Sequence, residues 1–217
     1  MYYDAAENPL LYNSPPSGHT LRGGNNMPRL FGQEIMLREY KREDLEHMRK
    51  WVIDPEVVNN LSDIFLQPHT LDATEDFLNS VLKGTRQNTY CFVIADKESE
   101  AYIGQIDLFN INWKNRYAEI GIVIGEEVKR GKGIGAEALR VLQEFAFNRL
   151  NMNRLEIKVH AYNTQAYRCY LKSGFIEEGR LRQIYYIHGS YFDTIVLSML
   201  KNEFESKMLT GPVVSNS

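Results

Sequence analysis

Cysteine is scarce in this chain. Cys91 and Cys169 are the two among 217 residues, too few for a disulfide scaffold or a four-cysteine zinc site. That count fits a reducing compartment. Long apolar runs are also missing. The most apolar short stretch, residues 120–124, falls far below the roughly 20 residues a membrane helix needs. Neither sign of charge dominates. Against 28 Asp+Glu stand 25 Lys+Arg, a net charge of −3 with a pI near 6.0. Such a balance gives no global pull toward nucleic acid or a membrane surface, and neither is expected as a partner. No Lys or Arg precedes Arg22, while Asp4 and Glu7 do. A basic n-region and an apolar h-region are both wanting, so no secretory leader is expected and a cytoplasmic location is. Neither H-E-x-x-H nor a Cys/His cluster occurs, and no metal is expected.

What is present suits one ordinary folded domain. Hydrophobic residues make up 43% and charged residues 24%, close to globular averages. A chain of this length can bury enough surface to fold without cross-links. Residues 1–26 are dense in breakers, with Pro15, Pro16, Gly18, Gly23, Gly24, Asn25 and Asn26, and read as a flexible extension. Residues 206–217 read as a loose tail. The folded domain is then 27–205, without internal repeats.

Within it, helix and strand patterns alternate, giving a mixed α/β class. Strands are expected at 33–38, 89–95, 100–111, 116–124, 155–160, 175–186 and 191–200. Helices are expected at 41–52, 71–83, 133–150 and 164–173. The clearest is 133–150, where Ala138, Leu139, Leu142, Phe145 and Ala146 form an apolar stripe. The shortest stops at Gly174, a typical residue just past a helix end.

The most informative segment joins the 116–124 strand to that long helix through Lys129-Arg130-Gly131-Lys132-Gly133-Ile134-Gly135-Ala136. Glycines let main-chain N–H groups converge, and a helix N-terminus adds partial positive charge. Together with three basic side chains they suit an anion such as phosphate. A Walker A loop needs Ser or Thr after Gly131-Lys132, and Gly133 stands there. A dinucleotide fingerprint needs G-x-G-x-x-G, whereas Gly131, Gly133 and Gly135 alternate. A plain strand-to-helix turn that packs a helix closely on a sheet remains open from these residues alone.

Two further patterns go with it. The loop fits Arg-x-x-Gly-x-Gly at Arg130, Gly133 and Gly135. Downstream, Asn163, Ala166, Tyr170, Gly174 and Phe175 fit Asn-x-x-Ala-x-x-x-Tyr-x-x-x-Gly-Phe. In this order and spacing the chain resembles the GNAT-type N-acetyltransferases over about residues 34–201. The closing strands and residues 163–172 are similar to the spermidine N-acetyltransferase branch. Leu37-Arg38 and the run Trp51-x-x-Asp54-Pro55-Glu56-Val57 are similar to the ribosomal-protein alanine N-acetyltransferase branch.

The resemblance implies a GNAT fold: a mostly antiparallel sheet of six to seven strands with about four helices, and a splayed strand pair that takes acetyl-CoA. It implies acetyl transfer from the thioester to a primary amine in a ternary complex. The acceptor would be a small polyamine-like amine or a protein N-terminus, with an amino sugar or antibiotic as the alternative. A CoA-binding module without catalysis is the competing class, and a homodimer is left open. Cofactor contacts are carried over to Ile122, Val123, Ile124, Lys129, Arg130, Gly131, Lys132, Gly133, Ile134, Gly135, Ala136, Asn163, Ala166, Tyr170 and Lys172. The oxyanion donor would be a main-chain N–H within residues 122–124. Tyr170 is the candidate acid for the departing thiolate, with a core tyrosine as the plain reading. Asn163 is equally a helix N-cap. Glu119 is the candidate base, its pKa raised by burial, and the plain reading pairs it with Arg116 or Lys158. His160 and His188 carry no partner pattern and are read as structural. The acceptor side is expected from the N-terminal helices and the last two strands. There Asp54, Glu56, Asp63, Asp72, Glu75 and Asp76 read as a solvated helix face or as a cluster attracting a polyamine or aminoglycoside, and Trp51, Phe65, Tyr185, Tyr186, Tyr191 and Phe192 as a groove lining or as core.

Overall fold

The computed structural model describes residues 29–65 and 67–210. The expected extension, residues 1–26, lies outside them. Eight strands form one sheet: β1 (Leu30–Phe31), β2 (Ile35–Arg38), β3 (Tyr90–Asp96), β4 (Tyr102–Asn112), β5 (Tyr117–Ile124), β6 (Arg154–His160), β7 (Ile176–Ile187) and β8 (Ser190–Leu200). The helices are α1 (Asp44–Val52), α2 (Pro55–Val58), α3 (Leu71–Leu82), α4 (Ile134–Glu144), α5 (Thr164–Lys172) and α6 (Lys201–Thr210). Strand order is β1-β2-β3-β4-β5-β6-β8-β7. Every neighbouring pair is antiparallel except β5 and β6, which run parallel. A parallel neighbour needs a crossover, and the glycine loop with α4 supplies it.

Strand alternation explains why the sheet is covered on both faces. On β3, Phe92 and Ile94 join the core beneath α4, while Cys91, Val93 and Ala95 join the core beneath α1 and α3. Such a strand reads as an unbroken apolar run. The α4 side is the larger core: Leu139, Leu142 and Phe147 are fully buried there against Ile106, Leu108 and Leu155. Each fully buried leucine contributes about 2 kcal/mol of apolar transfer. On the other face Met48 and Trp51 of α1 and Leu78 of α3 cover Met36, Val93 and Tyr102, and the Trp51 indole N–H donates to the Tyr102 hydroxyl at 2.9 Å.

Four differences from the expected elements have local causes. The long helix ends as α-helix at Glu144 and continues as a π-helical turn over Phe145–Arg149, which buries both Phe145 and Phe147. Strand β1 is two residues long, below the reach of any periodicity. Helix α2 is one turn, capped by the Asp54 carboxylate accepting from Glu56 N–H at 2.9 Å, with Pro55 at its first position. The tail expected from residue 206 is corrected in part. Helix α6 runs on through Thr210, anchored by buried Phe204, whose ring lies tilted against Phe147 at 5.0 Å. Residues 211–217 lie outside the described set.

A buried ion pair fixes α1 on the sheet. Arg38 of β2 and Asp44 of α1 are 2% and 3% exposed. The guanidinium donates to both carboxylate oxygens at 2.9 and 2.8 Å, and also to the Glu39 and Glu100 carbonyls. The Lys41 N–H completes the Asp44 site at 2.7 Å. Breaking such a pair strands a buried charge. Asp44→Ala is expected to lower unfolding free energy by about 3–5 kcal/mol, measured by urea titration; a loss below about 1 kcal/mol contradicts this account.

Candidate functional site

The site begins where hydrogen bonding stops. β5 and β6 are paired from Tyr117↔Arg154 to Ile120↔Ile157 and no further. Both strands continue, β5 to Ile124 and β6 to His160. On their outer sides they stay in the sheet: Ile124 is still paired with Gly104 of β4, and His160 with Thr194 of β8. The two strands therefore diverge and leave one edge of Gly121, Ile122, Val123 and Ile124 open. At about 3.3 Å per residue this is roughly 13 Å of unpaired backbone. Gly104 is part of the cause. A Cβ there would lie 2.1 Å from the Val123 carbonyl oxygen, so β5 can lean onto β4 only because residue 104 has no side chain.

The glycine loop closes one end of this gap. Gly131 and Gly133 have φ of 74° and 87°, a region that costs an L side chain about 1–2 kcal/mol. Gly133 is the N-cap of α4. Among the described residues, none accepts a hydrogen bond from the N–H groups of Gly133, Ile134, Gly135 and Ala136. Four unfilled donors at a helix N-terminus form an anion site. The cleft they border has a volume of about 580 Å³. Its walls carry three cations, Arg130, Arg168 and Lys172, against one carboxylate, Glu56.

The expected cofactor residues divide accordingly. Ile122, Val123, Ile124, Arg130, Gly131, Gly133, Gly135, Ala136, Asn163, Ala166, Tyr170 and Lys172 all line the cleft. Three do not. Ile134 turns its side chain into the core, since the first turn of α4 must bury one face. Lys129 reaches toward Asp96 at 4.0 Å, and Lys132 stands exposed outside the lining. Arg130 lines the cleft, but its guanidinium donates to the carbonyls of Ile124 and Gly125 and to the Asp54 carboxylate, each at 3.1 Å. It braces the loop and ties it to α2. Asn163 caps α5, accepting from Ala166 N–H at 3.1 Å, while it also lines the cleft.

Tyr170 is 8% exposed, and its ring meets Phe175 edge-on at 6.4 Å. Among the described residues its hydroxyl has no hydrogen-bond partner, and burial pushes its pKa up. It thus stays protonated at neutral pH and can donate. Glu119 requires a correction. It does not line the cleft, and its carboxylate accepts from Asn110 at 2.9 Å and Lys158 at 3.0 Å. Burial pushes this carboxyl up, but the hydrogen bonds from Asn110 and Lys158 and the lysine's charge outweigh it and hold the pKa below its ordinary value. The raised pKa expected of a base is absent here.

Sequence reasoning set Glu56 in the acceptor half but missed that α2 and the residues after it form a wall of the cleft. Glu56, Val57, Asn60 and Leu61 line the cleft from the side opposite α5. The Asp54-Pro55 cap signal was available, but nothing local shows that one helical turn faces a gap more than sixty residues downstream. Beyond α2 lies a second cavity of about 370 Å³, lined by Glu56, Asn59, Asn60, Tyr162, His188 and Phe192 among others. Glu56 and Asn60 belong to both. His160 and His188 hold this wall in place. His160 contacts the Leu61 carbonyl and the Thr194 hydroxyl, each at 3.2 Å, and stacks on Tyr185 at 3.8 Å. His188 meets the Asn59 side-chain amide at 3.4 Å.

A family model described as "Acetyltransferase (GNAT) domain" matches residues 34–176. The chain belongs to the GNAT acetyltransferase family. The uncharacterized N-acetyltransferase p20 of Bacillus licheniformis is 30% identical over 183 residues, covering 82% of this chain and 99% of that one. The spermidine N(1)-acetyltransferase of Vibrio cholerae is 27% identical over 176 residues, covering 79% and 95%. A crystal structure of spermidine N-acetyltransferase from Vibrio cholerae, in complex with CoA and spermine, superposes with a TM-score of 0.70 at 24% identity. It covers 79% of this chain and 98% of that chain. The GNAT fold is therefore present, with eight strands among the described residues in place of six to seven. This acetyltransferase uses acetyl-CoA to acetylate an amine.

The donor set fits that co-substrate. Unfilled amides at the start of α4 suit a diphosphate, and the open β5 edge suits the amide-bearing pantetheine arm. Among the described residues no group of three or more His, Cys, Asp or Glu is placed to hold a metal, and no helix is long and apolar enough to cross a membrane. Gly133→Asp puts a carboxylate at the anion site and a side chain at a left-handed position. It is expected to weaken acetyl-CoA binding by about 30-fold or more, measured by calorimetry with melting as a fold control. Unchanged affinity contradicts the anion site.

Proposed function

We propose that this acetyltransferase acetylates a primary amine of a small polycationic amine of the spermidine type. The observation that carries the reading is the second cavity, which adjoins the first and shares Glu56 and Asn60 with it. An aliphatic amine can lie with its chain against Tyr162 and Phe192 and a distal ammonium near Glu56. Aromatic faces and a carboxylate are the two groups that attract an alkylammonium. Relatives named spermidine N(1)-acetyltransferase support the same acceptor. The carboxylates expected in the acceptor half contribute unequally: Asp54 is held by Arg130 at 3.1 Å, whereas Glu56, 3.7 Å from the same guanidinium and more exposed, also faces both cavities.

In this reading Asn163, Ala166 and Lys172 contact the co-substrate from α5, and main-chain N–H groups within residues 122–124 hold the carbonyl oxygen of the reacting acetyl group. Tyr170 protonates the departing thiolate. Its burial keeps the proton in place until charge develops on sulfur. Use of acetyl-CoA supports a cytoplasmic location.

Tyr170→Phe removes only the hydroxyl. It is expected to lower kcat by about 100-fold while acetyl-CoA affinity stays within about twofold, read by thiol release and calorimetry. Equal turnover removes the assigned role. The acceptor is tested by thiol release with spermidine, a peptide bearing an N-terminal alanine and an aminoglycoside, followed by mass spectrometry. Spermidine is expected to give a monoacetylated product with the highest kcat/KM. A preference for the peptide overturns the polyamine reading.

A further inference from the structure

The face of the sheet opposite α4 carries a half-buried polar strip beside the splay. Gln105, Asp107 and Phe109 of β4 and Glu119, Gly121 and Val123 of β5 point to it, and all six are half-buried. Their registers place Asp107 opposite Gly121 and Gln105 opposite Val123. Asp107 therefore lies one strand away from the point where β5 and β6 part, because their last pair, Ile120↔Ile157, is one residue before Gly121. No side chain rises from Gly121 to separate them. The Phe109 ring closes the inner end of this lane, its Cε1 lying 3.2 Å from where a Cβ on Gly121 would stand. Gln105 and Val123 form the outer end.

Polar atoms on this strip are unfilled. Four buried side-chain oxygens among the described residues have no hydrogen-bond partner, and three of them, Gln105 Oε1, Asp107 Oδ1 and the Tyr40 hydroxyl, belong to this side of the sheet. Two are pure acceptors two residues apart on one strand face, about 7 Å between Cβ atoms. Leaving such atoms unfilled costs about 1–3 kcal/mol each. A group that offers only N–H donors completes them both.

We propose that Gln105 and Asp107 seat the reacting nitrogen of the acceptor amine, and that Asp107 accepts its first proton. The proposal rests on the amine reading above. The nitrogen arrives as an ammonium and gives one proton to the Asp107 carboxylate. Its freed lone pair forms the C–N bond as the C–S bond breaks. As the C–S bond breaks, Tyr170 gives its proton to the thiolate sulfur. The nitrogen then releases its second proton to water, which reprotonates Tyr170, and Asp107 returns the first to solvent, so one proton is released overall.

Like Glu119, Asp107 is not among the residues lining the cleft, but its register sets it one strand from the open β5 edge, and its surroundings tune it. Burial pushes the Asp107 pKa up to about 7, while the charge of Arg86 and hydrogen bonding from Cys91 and the Phe92 backbone pull it partly back. Tyr40 and Tyr102 are the other titratable groups that feel its charge. Glu119 and Lys158, further along the face, are paired with each other. A base of this kind becomes available as pH rises through about 7.

The test uses the full chain and two variants. Thiol release is followed from pH 6 to 9.5 with spermidine and with the alanine peptide, alongside calorimetry with acetyl-CoA. Asp107→Asn is expected to lower kcat/KM by about 100-fold and to erase the rise near pH 7, with co-substrate affinity within about twofold. Gln105→Leu, which keeps the carboxylate, is expected to raise the amine KM by about tenfold with kcat nearly intact. Asp107→Asn should melt at or above the wild-type temperature at pH 8, since the folded state holds this group best when neutral. Wild-type kcat/KM and pH profile in Asp107→Asn overturn the proposal and leave the polyamine reading standing. Turnover of the peptide alone overturns the polyamine reading, and the same variants then judge Asp107 on the peptide.

Discussion

The structure depends on two parallel strands that start paired and then part. Backbone N–H and C=O groups inside a folded protein are normally filled, and an open edge in mid-sheet is costly. The chain keeps it open from both sides: β4 draws β5 away at Gly104, and β8 retains β6 through His160. Neither strand can close on the other without losing a longer ladder. The gap is therefore a rigid consequence of pairing elsewhere, and an extended amide-bearing ligand restores what the sheet gives up.

The gap also passes through the sheet, so two kinds of chemistry meet in it. On the α4 side, helix N–H groups with Arg168 and Lys172 favour a polyanion. On the opposite face and around α2, Asp107 and Glu56 favour a cation. The net charge of −3 conceals this separation, because opposite signs on opposite faces cancel in a sum. Arg130 links the two sides, bonding the loop carbonyls and Asp54 at once. Its charge acts through the shape of the loop and the position of α2.

Most of the sheet and both cofactor motifs were legible because they are local. Strand β3, helix α4 and the capped turn at Asn163 each carry their cause within a dozen residues. The short pieces were not. β1 has too few residues for a period, and α6 has one buried aromatic, Phe204, with no stripe around it. Of fifteen residues carried over to the co-substrate, the ones that miss the cleft are Lys129, Lys132 and Ile134. A loop motif fixes where the backbone goes but not which way each side chain turns, and Ile134 turns inward because the helix it opens must bury a face.

The two acids on the half-buried strip show why a base cannot be chosen from sequence. Glu119 and Asp107 both interrupt apolar strands and share one face of the sheet. Glu119 meets Lys158, 39 residues away, and Asn110, and is held ionised. Asp107 faces Gly121, Cys91 and an unfilled oxygen on Gln105, and is held near neutrality. Pairing registers decide these opposite outcomes, and no window along the chain contains them. An ion-paired carboxylate already has its cation, so its affinity for a second one is small. A carboxyl with one oxygen unfilled and no ion pair has its affinity in reserve, and the register across Gly121 sets it one strand from the place where the strands part.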